Sequence, residues 1–117
     1  MQYLTMDVGG SGIKYALADE SYALSHKGVV PTSYDSHGDF IAAIGRIYEP
    51  FRGTVAGIAL SCCGELDPTS GYLFSGGALV FNAGTNLIES VKARCGVPVS
   101  LENDANCGPW LRRLLQK

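Results

Sequence analysis

The chain has 117 residues and a formal net charge of −2, with 46% hydrophobic and 17% charged side chains. That size supports one domain with a buried core, and the balance of apolar and charged residues excludes a disordered chain. A faintly acidic protein offers no basic field for nucleic acid, no apolar run approaches the ~20 residues that cross a bilayer, and no signal peptide precedes the first strand, so a cytoplasmic protein is expected.

Tyr3 to Val8 reads as a buried strand and Ile13 to Ala18 as a second. Between them Gly9-Gly10-Ser11-Gly12 makes a tight turn whose amides are exposed and whose missing β-carbons let an anion come close. Asp7 and Lys14 bracket it with the two charges that a metal-nucleotide complex needs. The pattern is neither a Walker loop, which needs a lysine at another spacing, nor a dinucleotide fingerprint, which must open a helix. Taken alone, such a turn is most often only a turn.

Leu24 to Pro31 is the third strand of an antiparallel series. After a polar loop, Ser36 and Asp39 form an S-x-x-D capping box. Phe40, Ile41, Ile44, Ile47, Tyr48 and Phe51 then recur at helical spacing and predict an amphipathic helix over 37–51. Val55 to Leu60 is a central strand, and Leu66 to Leu73 a small surface hairpin around Asp67-Pro68-Thr69-Ser70-Gly71. Residues 75–86 read as an irregular loop. Asn86 with Glu89 caps a helix to about Arg94, which Gly96 and Pro98 end. A strand over 97–101 and a helix from about 104 complete the chain, although Gly108-Pro109 interrupts that last helix. Its tail from Trp110 to Lys117 is amphipathic and basic, an ordinary surface helix or a partner-binding segment.

Cys62, Cys63, Cys95 and Cys107 show no C-x-x-C spacing, so reduced thiols are expected. His26 and His37 stand isolated and read as ordinary side chains.

The segment Leu101-Glu102-Asn103-Asp104-Ala105-Asn106-Cys107 follows the last strand, where Asn103 or Asp104 suits a helix cap. Together with the glycine turn it resembles the ROK family (repressors, open reading frames and sugar kinases) of the actin/hexokinase-like superfamily. The family's D-x-G-G-T-x-x-K stands here as Asp7, Gly9, Gly10, Ser11 and Lys14, and its E-N-D-A-N as Glu102 to Asn106. Ser61-Cys62-Cys63-Gly64 looks like the family's S-x-P-G, and Gly84-Thr85-Asn86-Leu87 also has counterparts. The resemblance implies an α/β fold: an actin-like ATPase (ribonuclease H-like) domain, with a mixed five-stranded sheet flanked by helices. Residues 1–117 would be the N-terminal lobe of a sugar kinase, with the C-terminal lobe absent.

The activity so implied is phosphoryl transfer from ATP-Mg2+ to a hexose or amino-sugar hydroxyl. Asp7 would hold the magnesium, Gly9, Gly10 and Ser11 would meet the phosphates, and Lys14 would add a cation. Asp104 would be the general base, Asn103 would bind ring hydroxyls, and Gly64 would let the sugar approach the backbone. Glu102 belongs to the motif but faces away from Asn103 under strand alternation. Cys63 replaces the family's proline and Ala78 an asparagine, both on the sugar side. The family's zinc motif lies beyond residue 117, so no zinc is expected here. The fragment alone is expected to be inactive, and Trp110, Leu111, Leu114 and Leu115 could form a patch for a homodimer. The alternatives are a sugar-sensing or transcriptional regulator module of the family, or a degenerate truncated remnant. A DNA-binding role is disfavoured, because only Met1 and Gln2 precede the first strand.

Overall fold

Alternating side chains and one glycine turn produce the first half of the sheet in the computed structural model, which describes residues 2–9, 12–21, 23–31, 35–77 and 79–103. Strands β1 (Gln2–Val8), β2 (Gly12–Ala18) and β3 (Leu24–Pro31) form an antiparallel meander. Strand β4 (Val55–Cys62) lies parallel to β1 on its other side, and β5 (Val99–Asn103) parallel to β4. The order across the mixed sheet is β3-β2-β1-β4-β5.

Alternation divides the sheet into two chemically different faces. Leu4, Met6 and Val8 align with Leu17, Tyr15 and Ile13 on β2 and with Ile58, Leu60 and Cys62 on β4. They share one apolar cluster with Phe40, Ile44 and Tyr48 of helix α1 (His37–Tyr48) and Leu87 and Val91 of helix α2 (Leu87–Cys95). Each fully buried side chain of that size contributes about 1.5–3 kcal/mol. The opposite face carries small and polar groups: Thr5 beside Ala16 and Ala59, and Asp7 beside Lys14 and Ser61. Thr5 is buried there and donates its hydroxyl to the Ala16 carbonyl at 3.0 Å.

Helix α1 starts where the capping box places it, with the Ser36 hydroxyl accepting from the Asp39 amide at 3.1 Å. It ends as an α-helix at Tyr48 and tightens into a 3-10 turn over Glu49–Phe51, earlier than the apolar spacing predicts. Pro50 lacks the amide that would continue the α-helical ladder. Helix α2 is capped by Asn86, whose side chain accepts from the Glu89 amide, and closed by Gly96 in the left-handed conformation. Strand β5 begins at Val99 and not at 97, because Gly96 and Pro98 keep the chain irregular until then, and it extends to Asn103. The expected last helix lies outside the described residues.

The hairpin forms through a Leu66–Leu73 bridge, and Asp67 organises its turn by accepting from the Thr69 amide and the Ser70 hydroxyl. These bonds hold the Asp67 carboxyl below its ordinary range. The loop expected over 75–86 contains a 3-10 turn, Val80–Asn82, and fully buries Asn82.

Neither histidine is ordinary. His37 bonds through Nδ1 to Asn82 Oδ1 at 2.8 Å and through Nε2 to Ser90 Oγ at 3.0 Å, joining α1, the 3-10 turn and α2. His26 holds a left-handed backbone, φ 54°, within β3.

Candidate functional site

Three parallel strands deliver their carboxyl ends to one edge, where ligands of open α/β sheets bind. Asp7 is aligned with Ser61 on β4, and Ser61 with Glu102 on β5. One residue further, Val8 aligns with Cys62 and Cys62 with Asn103. On the antiparallel side Lys14 stands opposite Asp7. The register therefore brings two motifs about a hundred residues apart in sequence to within three strand positions, about 15 Å.

The glycine turn is closed by the Gly9 amide donating to the Gly12 carbonyl at 2.9 Å. Asp7 is half-buried and Lys14 exposed, and among the described residues neither enters an ion pair. Both charges are thus available to a ligand at the turn. Gly10, Ser11 and Asp104 lie outside the described residues, and Asn103 is described as the last backbone position of β5.

Gly64 follows β4 with φ 98°, a conformation that favours glycine. A β-carbon there would also collide with the Ser75 carbonyl. The chain's own loop therefore accounts for the glycine, and the same packing sets that loop beside the end of β4. Cys63, in the position of the family's proline, has its thiol 3.5 Å from the Gly76 carbonyl. Ala78 lies outside the described residues.

Two features escaped sequence reasoning. Ser61 is fully buried and, among the described residues, has no hydrogen-bond partner for its hydroxyl; it lies directly between Asp7 and Glu102 in the row. Its place in the S-x-P-G-like segment was visible, but its burial was not. The His37–Asn82–Ser90 group carries no sequence signal, since its partners are 45 and 53 residues from the imidazole.

Among the described residues no group of three or more His, Cys, Asp or Glu could hold a metal ion. Asp7 is the described carboxylate beside the glycine turn. One carboxylate suits a magnesium ion whose remaining ligands are phosphate oxygens and water, and does not suit a metal caged by protein alone. No helix among these residues is long and apolar enough to cross a membrane.

The model of the ROK family matches residues 3–116. A beta-glucoside kinase from Listeria monocytogenes is 32% identical over 121 residues, covering all of this chain and 40% of that protein. An N-acetylmannosamine kinase from Salmonella typhimurium is 27% identical, over 94% of this chain and 38% of its own length. Among solved structures, a ROK family protein from Streptococcus pneumoniae in complex with sucrose superposes with a TM-score of 0.76 at 30% identity, over 92% of this chain and 36% of that one. The chain thus spans about two-fifths of the length of the curated relatives it matches.

Proposed function

The chain belongs to the ROK family and has its actin-like ATPase fold, and on that premise we propose that it supplies the N-terminal lobe of a kinase that phosphorylates a sugar hydroxyl from ATP. The observation that carries this reading is the register at the carboxyl edge, where the glycine turn of β1–β2, the end of β4 and the end of β5 meet.

Phosphoryl transfer is catalysed mainly by positioning and charge stabilisation. Bound ATP-Mg2+ supplies the transferable phosphoryl group and a counter-charge for it. Asp7 would hold the magnesium, through water, from the end of β1. Gly9, Gly10 and Ser11 would turn amides and a hydroxyl toward the phosphates, and Lys14 would place its ammonium beside them. Asn103 would hydrogen-bond the sugar's hydroxyls, and the Gly64 backbone would border the ring. Asp104 would accept the proton of the reacting hydroxyl, a role worth about 10²- to 10⁴-fold in rate.

The substrate class proposed is a hexose, hexoside or amino sugar, on the strength of relatives named as beta-glucoside and N-acetylmannosamine kinases. A cytoplasmic setting, where ATP is at hand as the phosphoryl donor, is proposed with it. The 117-residue chain alone is proposed to turn over little, because the opposing wall of the cleft would come from a second lobe, and to self-associate through Trp110, Leu111, Leu114 and Leu115 of its amphipathic tail.

Amide NMR on the chain tests the binding part of this reading. MgATP is expected to shift Gly9, Gly12 and Lys14, and a binding sugar to shift Gly64 and the end of β5. Shifts confined to other regions would count against it.

A further inference from the structure

We propose that the groove between β3 and the carboxyl end of α1 binds a small organic anion, a charged group joined to a flat ring. The groove encloses about 700 Å³, within the range of small-molecule sites. Gln2 and Thr54 also border it, so it opens near the amino end of β1. Asp7 is five positions along that strand, about 16 Å away. The inference therefore stands independently of the kinase reading.

Its apolar wall is built from Tyr15, Ile47 and Phe51, and its basic groups are His26, Lys27 and Arg46. Among the described residues no carboxylate lines it. Nearby Arg52 and Arg94 both pair with Glu49, whereas Lys27 and Arg46 enter no ion pair among the described residues. In a chain of net charge −2, the Lys27 and Arg46 charges and the His26 ring, set around an apolar wall, select an anion. The wall selects its ring.

The backbone gives a second, independent reason. His26 is the one non-glycine residue with positive φ among the described residues. It stands where the β2–β3 register shifts between Tyr15 and Leu17. Bulges of this kind re-aim side chains, and strained non-glycine conformations gather at ligand sites. Here the His26 ring meets Phe51 edge to face, with centroids 5.9 Å apart and planes at 83°. Gly28 leaves room for the Tyr15 ring, which a β-carbon there would strike.

The test is NMR titration of the chain with phenyl phosphate, benzoate, inorganic phosphate and benzyl alcohol. At least one aryl anion is expected to shift Tyr15, His26 and Phe51, and the tighter of the two identifies the charged group. Inorganic phosphate and the uncharged alcohol should each bind at least tenfold more weakly. In the doubly substituted Lys27→Ala, Arg46→Ala chain, affinity should fall at least tenfold while the melting temperature stays unchanged, since both side chains are exposed. Silence toward both aryl anions, undiminished affinity in the double variant, or equal binding of inorganic phosphate or benzyl alcohol would overturn the proposal.

Discussion

Gly64 combines a φ of 98° with a neighbouring carbonyl in the place of its missing β-carbon. Gly64→Ala should therefore cost on the order of 2–3 kcal/mol, read as a lower urea midpoint; an unchanged midpoint would show that the 75–77 loop gives way. His37 poses a different problem. Asn82 is fully buried and its Nδ2 already lacks a partner among the described residues, so His37→Phe would strip its Oδ1 as well. A loss of about 1–3 kcal/mol in the same experiment is expected. Glu49 gives the pH dependence. Hydrogen bonds from Arg52 and then Arg94 lower its carboxyl from the ordinary 4.5 to about 2. A lowered folded value means stability that is present above the unfolded value of about 4.5 and lost as pH falls toward 2. Glu49→Gln should lack that part of the acid sensitivity when urea midpoints are compared between about pH 6 and about pH 3. An identical acid slope in both proteins would contradict the pairing.

The elements were legible where local chemistry fixes them. The glycine turn, the Ser36 and Asn86 caps and the Gly96 stop are short-range devices, and the structure forms each of them. Apolar spacing carried α1 to Phe51, but periodicity is blind to a missing amide, and Pro50 ends the α-helix at Tyr48. The 75–86 segment looked irregular because its order comes from partners outside it, with Asn82 held by His37 and Gly84 donating its amide to the Leu73 carbonyl. The groove beneath β3 was equally invisible, since it depends on a bulge and on a helix packed from elsewhere in the chain. The cap offers a local test. Ser36→Ala removes the acceptor for the Asp39 amide, and should cost about 1 kcal/mol by thermal melting.

At the scale of the molecule, the candidate site depends on parallel register. Gly9 and Asn103 belong to separate motifs, and only the β1–β4–β5 order makes them neighbours along one edge. Sequence resemblance could name those residues; it could not show that Ser61 is buried between Asp7 and Glu102 with no partner among the described residues. The chain aligns with 121 residues of the Listeria beta-glucoside kinase, so it can replace them in a hybrid with that enzyme's remaining length. ATP-dependent phosphorylation of hexoses, β-glucosides and amino sugars should be measured for this hybrid and its Asp104→Asn form, with equal melting temperatures required of both. Turnover is expected in the parent hybrid, with a loss of about 10²- to 10⁴-fold in the variant. Equal rates in the two proteins, or a folded parent that phosphorylates none of these sugars, would contradict it.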